Sequence, residues 1–321
     1  MAPRLGLGGG ITADPASGLF ASTPLLLDTY PNAHIAYSVR KLRTEYTGHA
    51  MKIRVDASPD RVADVAFDDD GFVSASSKVY NRDDGGTEGV TLAAFVDTDN
   101  EVYVHTWYDQ SGEGSNATDR AADFSVSVDP ANQPKIYTSN SLITDDTGSG
   151  TARAALQFDS SDRLHVPNDG LSLGSTSVFS LFRHNNTSNH TAWSLVYSAV
   201  PARYYIMYQL SSELKWYYDN AIATSLDLDP SGYGIPNIRR LVSTLAGSSA
   251  QAMIVNGTTI SDASPSYATT ALAGHVSYSA LGFSFTSGLT GFMQEFIVYD
   301  SDQTSNSAGI TSAINTVMEV Y

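Results

Sequence analysis

No cysteine occurs among the 321 residues. That absence excludes a disulfide framework, a thiolate metal site and a thiol nucleophile together. It leaves the compartment open, because a protein folded in a reducing cytoplasm and later carried outside shows the same lack. Positive charge is scarce: 18 Lys and Arg stand against 34 acidic side chains, for a formal charge of −16. Such a surface repels phosphate backbones, so nucleic acid is not an expected partner. Glutamate is scarce as well, with seven positions against twenty-seven aspartates. Asp suits turns and Glu suits helices, so the skew leans toward strands joined by many connections. Long hydrophobic runs are missing too. The segment Leu25, Leu26, Leu27 is far short of a membrane span, and membrane insertion is not expected. The N-terminal residues, with Arg4 ahead of glycines at 6 and 8–10, lack the apolar stretch of a secretory signal.

Residues 1–32 read as an extended arm, glycine-rich and without apolar period. Arg4, Leu5, Leu7, Ile11 and Phe20 are the residues expected to attach it to a neighbouring subunit. Residues 33–321 read as one domain. The spacing of Ile35, Val39, Leu42 and Tyr46 predicts a helix over 33–46, with Gly48 after its end. Beyond it the chain reads as strands at 102–108, 177–182, 203–210, 214–218, 251–255, 258–260 and 292–299, rich in β-branched and aromatic residues. Asn256 and Gly257 between two of these runs predict a tight hairpin. A last helix is expected from the stripe Ile310, Ile314, Val317 and Tyr321, capped by Asp302 or Ser305. Short strands with frequent turns predict an all-β sandwich with a few peripheral helices. There is no repeat of solenoid length.

Several phrases taken in order carry a resemblance. They are AYSVRKLR at 36–43, YTG at 46–48, IRV at 53–55, FDDDGF at 67–72 and LAAF at 92–95. TWYDQSG at 106–112, NAT at 116–118, NQPKI at 132–136, ALQFD at 155–159 and GFMQEFIVYD at 291–300 follow. Together they resemble concanavalin A-like (laminin G-like) bacteriophage virion proteins of the tail-fibre or head-decoration type. The YDQSG block also resembles the catalytic domain of family 54 α-L-arabinofuranosidases. The resemblance implies a jelly-roll β-sandwich, display on the virion surface, contact with capsid or tail subunits, and homo-oligomers of the trimeric kind. In the arabinofuranosidase family the nucleophilic Glu follows the segment matching 155–159. Residues 163–170, RLHVPNDG, contain no Glu, and that family's adjacent cysteine pair has no counterpart.

Trp107, Tyr108, Asp109, Gln110 and Asn116 are the candidate glycan-binding residues. Aromatic faces stack on sugar rings, and carboxylate or amide groups read hydroxyls. The competing reading makes the same block a structural turn around a core Trp107. Asp68, Asp70, Asp227 and Asp229 are weak Ca²⁺ candidates that turn chemistry also explains, and no cofactor is expected. The seven histidines show no zinc spacing. No Gly-x-Ser-x-Gly elbow appears, while a Ser-His-Asp arrangement assembled in space stays open. The expected function is a non-enzymatic virion structural protein that binds host-surface polysaccharide. The alternatives are a glycoside hydrolase related to α-L-arabinofuranosidases and a ligand-free capsid cement protein.

Overall fold

The computed structural model describes residues 24–56, 60–97, 101–119, 132–145, 151–167, 171, 176–185, 189–199, 202–210, 213–218, 225–228, 237–246, 251–262, 279–283 and 287–321. The attachment residues Arg4, Leu5, Leu7, Ile11 and Phe20 lie outside this set. The chain begins with α1 (Leu26–Thr29), β1 (Ala33–Ser38), β2 (Met51–Val55), β3 (Arg61–Val65) and β4 (Val79–Tyr80). Then come α2 (Leu92–Val96), β5 (Val102–Trp107), β6 (Ala117–Thr118), β7 (Lys135–Thr138), β8 (Ser141–Leu142) and β9 (Thr144–Asp145). The middle holds β10 (Arg153–Ala154), β11 (Leu156–Phe158), β12 (Leu164–His165), β13 (Ser177–His184), β14 (His190–Ala199) and β15 (Ala202–Leu210). Next are β16 (Glu213–Tyr218), β17 (Ser225–Leu228), β18 (Arg240–Ala246), β19 (Gln251–Val255) and β20 (Thr258–Asp262). The chain closes with β21 (Ala280–Leu281), β22 (Gly291–Tyr299) and α3 (Ser307–Met318).

The strands form an antiparallel sandwich, as the sequence leads one to expect. One ladder runs β20–β19–β18–β13–β22, and β22 takes β1 and β11 on its other side. The other runs β4–β3–β2–β5–β6–β12–β21–β14–β15–β16–β17. β7 pairs with both β5 and β11 and joins the two ladders at one side. Between the layers stands a file of aromatics. Trp107 of β5 stacks on Tyr37 of β1 at 5.9 Å, Tyr37 on Phe296 of β22 at 6.2 Å, and Phe296 meets Trp193 of β14 edge-on at 5.7 Å. The polar handles are satisfied across the gap: Trp107 Nε1–H donates to Ser38 O and Trp193 Nε1–H to Ser180 Oγ.

The buried Glu295 of β22 is held by Arg40, whose Nε and Nη2 donate at 2.8 and 3.0 Å, and by Ser38 Oγ at 2.8 Å. These bonds supply the partners that burying a charge requires.

Three expectations need correction. Residues 33–46 are not a helix: residues 33–38 form β1, paired with β22 from Ala33↔Tyr299 to Ser38↔Glu295. A strand buried on both faces loses its period-2 alternation, and its apolar residues then imitate a helical stripe. Val39 and Leu42 follow in irregular chain, their N–H groups donating to Gln294 O and Gln110 Oε1. The arm boundary also moves. Leu26 and Leu27 are buried in the core, Leu27 N–H donates to Leu42 O, and Tyr299 Oη donates to Tyr30 O, so residues 24–32 belong to the body. At the C-terminus the N-cap is Asn306, not Asp302 or Ser305. Asp302 instead closes a turn, accepting from Thr304 N–H and Oγ1–H. The helix ends at Glu319 in the left-handed region, so Met318, not Tyr321, completes its buried stripe with Ile310 and Ile314.

The hairpin is as expected: Asn256 and Gly257 carry φ values of 47° and 78° between β19 and β20. Among the described residues no helix is long and apolar enough to cross a membrane.

Candidate functional site

The TWYDQSG block leaves β5 and turns back against β1. Asp109 is 5% exposed and accepts four hydrogen bonds. Its Oδ1 takes Ala36 N–H at 2.8 Å and Ser111 N–H at 3.0 Å, and its Oδ2 takes Ser111 Oγ–H at 2.6 Å and Ser115 N–H at 3.1 Å. Asn116 Oδ1 accepts from Asp109 N–H at 2.9 Å. Gln110 is fully buried; its Oε1 accepts from Leu42 N–H and its Nε2 donates to Arg40 O and Ser38 O. Trp107 lies in the aromatic file, fully buried. Tyr108 donates to Asp64 Oδ1 at 2.7 Å, and burial together with that bond holds its phenol well above the usual range.

All five candidate glycan residues therefore spend polar atoms on the chain itself. The end of the block lines open space. Ser111, Gly112 and Glu113 line a groove of about 780 Å³ with Asp28, Asn32, Arg43, Thr44 and Glu45, over the apolar side chains of Leu27, Pro31 and Ala33. The buried block fixes this wall: Arg43 Nη1 donates to Ser111 O at 2.7 Å and its Nη2 to Glu45 Oε2 at 3.0 Å. Opposite in sequence, Asp28 receives Thr44 Oγ1–H at 2.6 Å and Thr44 N–H at 3.0 Å. The Thr44 hydroxyl is the main reason its carboxyl lies below the usual carboxylate range, with the Arg43 charge acting in the same direction. Asp28 is thus ionised and oriented, with Glu45 and Glu113 as exposed carboxylates beside it.

Sequence reasoning missed this groove because Asp28 was assigned to the arm and Arg43 and Glu45 to a helix. A signal was available: two of the seven glutamates, Glu45 and Glu113, stand in it.

A second carboxyl is unusual for another reason. In the turn after β11, Asp162 is 3% exposed and its Oδ2 accepts from Asp159 N–H at 2.8 Å. Burial pushes its carboxyl up to about 7; the Asp159 amide opposes that shift and the Asp159 charge reinforces it. The turn sits on Gly282, φ 78°, where any side chain would collide with Phe158 and with Asp162 O. This stretch follows the segment after which the resemblance places a nucleophilic Glu. Asp162 shares a hydrogen bond with Asp159, whereas carboxyls that flank a glycosidic bond stand about 5–9.5 Å apart. The pair closes a turn and does not make a hydrolytic dyad.

The weak Ca²⁺ candidates resolve in part. Asp68 Oδ1 accepts from Asp70 N–H and Phe72 N–H, an Asx turn. The side chain of Asp227 and all of Asp229 lie outside the described residues. Among the described residues no three His, Asp or Glu side chains group as a metal site.

No family model matches the chain, and no curated protein matches it. Solved structures do. A mutant GH54 α-L-arabinofuranosidase soaked with 4-nitrophenyl α-L-arabinofuranoside superposes with a TM-score of 0.57 at 13% identity, over 90% of this chain and 64% of that one. An arabinofuranosidase complexed with arabinofuranosyl-α-1,2-xylobiose gives 0.55 at 15% identity over the same shares. A GH54 enzyme soaked with a cyclic sulfate inhibitor gives 0.53 at 13%. The chain thus spans a little under two-thirds of these proteins. At such identity the likeness shows the fold. The expectation of a virion structural protein is corrected by it: the solved structures that match here are arabinofuranosidases.

Proposed function

We propose that this chain is a carbohydrate-active β-sandwich of the glycoside hydrolase class, taking a polysaccharide in the groove between residues 27–33, 43–45 and 111–113. The observation that carries this reading is the superposition on arabinofuranosidases across 90% of the chain. The groove supports it: an open, polar channel over an apolar floor suits a chain of hydroxyls on hydrophobic ring faces.

Glycoside hydrolysis asks for two carboxyl groups, one ionised and one able to give a proton. Asp28, kept ionised by Thr44 and Arg43, fits the first role. Glu113, on the other loop that lines the groove, is the candidate for the second. The test is sugar release from a panel of arabinose-containing and other plant and bacterial polysaccharides, with 4-nitrophenyl furanosides and pyranosides alongside. Release that falls roughly 100-fold or more in Asp28→Asn and in Glu113→Gln is the expected result. Absence of hydrolysis on every substrate, with no retention on any polysaccharide, overturns the proposal.

A further inference from the structure

Away from the groove, β5 carries a second constellation, in which Thr106 is buried and His105 half-buried. The register between β2 and β5 slips at one point: Lys52 faces Thr106 and Ile53 faces Val104, so His105 is the extra residue of a β-bulge. A bulge re-aims side chains, and here it turns two neighbours to the same side. Thr106 Oγ1 lies 2.8 Å from His105 Nδ1. On the far side of the imidazole, His105 Nε2 faces Asp119 Oδ1 at 3.5 Å. Asp119 is held in turn: Gln133 Nε2 donates to its Oδ2 at 2.6 Å, and Arg54 Nε donates to Gln133 Oε1 at 3.1 Å. Asp119 N–H also donates to His105 O at 3.0 Å, which ties the carboxylate's backbone to that of the histidine.

A hydroxyl bonded to an imidazole, itself oriented by a buried carboxylate, is the arrangement that activates a nucleophile. Distances on the carboxylate side are often long without substrate and tighten when it binds. Lys52, directly opposite Thr106 on β2 and partly exposed, supplies a cation on the same face. Residues so paired have Cβ atoms about 5 Å apart, within reach of a lysine ammonium.

We propose that Thr106, His105 and Asp119 form an acyl-transfer site that hydrolyses small carboxylic esters of the kind O-acylated sugars carry. The site stands apart from the groove and does not depend on glycosidase activity there. With the proton of the neutral ring on Nε2, directed at Asp119, Nδ1 accepts the proton of Thr106 as its Oγ1 attacks the ester carbonyl carbon. The carbonyl oxygen becomes an oxyanion stabilised by Lys52. Collapse breaks the bond to the alcohol oxygen, which leaves with the proton from Nδ1, and the acyl group remains on Thr106. Water then attacks this second ester and gives its proton to Nδ1. Release of the acid returns that proton to Thr106, so ester and water become acid and alcohol with no other reactant. Asp119 and Gln133 are positioning residues.

The experiment uses the full chain with 4-nitrophenyl acetate, and a fluorophosphonate followed by peptide mapping. Labelling at Thr106 and turnover that persists in Thr106→Ser are expected. Loss of roughly 100-fold or more is expected in Thr106→Val and in His105→Gln, whose partly exposed ring can be replaced without emptying the core. Asp119→Asn is expected to lower kcat with little change in KM, and to move the acid limb of the pH profile to lower pH. Turnover unchanged in both Thr106→Val and His105→Gln, or label found only elsewhere, overturns the proposal. An absence of any turnover or label in the folded wild-type chain overturns it equally.

Discussion

Two buried aspartates, Asp109 and Asp162, are almost equally hidden at 5% and 3% exposure, yet their surroundings differ. Asp109 receives four donors from three residues and ties β1 to the loop after β5. Asp162 has the Asp159 amide on one oxygen and a second carboxyl as neighbour, and burial pushes it up to about 7. Burial alone therefore does not tell what a carboxyl does. The donors around it decide whether burial fixes a structure or costs a charge.

The sharpest way to break this contrast is to remove the donors' acceptor. Asp109→Ala strands the amides of Ala36, Ser111 and Ser115, and is expected to cost about 4 kcal/mol by denaturant titration. A loss under about 1 kcal/mol would show that the block is not architectural. The Arg40–Glu295 pair offers a parallel case: Glu295→Leu alone should cost about 3 kcal/mol, while Arg40→Met with Glu295→Leu should recover much of it.

Asp162→Asn should move stability by roughly 1–3 kcal/mol, in a pH-dependent direction. The folded carboxyl titrates near 7 and the unfolded one near 4, so between them the folded state holds the extra proton. Its contribution is present below about pH 4 and is lost as pH rises through 7. The variant should therefore match the parent near pH 4 and exceed it at pH 8, where the parent buries a charge. A stability difference that does not change with pH contradicts this. The smallest effect is expected at Gly257, where φ is 78°: Gly257→Ala should cost about 1 kcal/mol in thermal melts.

The fold was largely legible in the sequence, because β-branched and aromatic runs with Asn-Gly and Asp-rich turns mark strands by local chemistry. β1 was not, since Ile35 and Tyr37 are buried on a strand packed on both sides, and a doubly buried strand carries no alternation. The site was legible only as a position. The TWYDQSG block does lead to the groove, but through Ser111–Glu113, while Trp107, Asp109 and Gln110 point inward. Residue type suggested sugar contact, and only the hydrogen-bond partners show that these side chains are already occupied. The partnership of His105 with Asp119 depends on a bulge set by the pairing of β5 with the distant β2, so no spacing rule reveals it.

The central claim is that the Asp109 block is scaffold and the groove beside it is where the chain meets its glycan. The direct measurement compares Asp109→Asn with Glu113→Gln for thermal midpoint and for retention and hydrolysis of a responsive polysaccharide. The account predicts that Asp109→Asn lowers the midpoint by several degrees, while Glu113→Gln melts as the parent does and loses hydrolysis. An Asp109→Asn variant that melts normally but no longer acts on the glycan, beside a fully active Glu113→Gln, would contradict it.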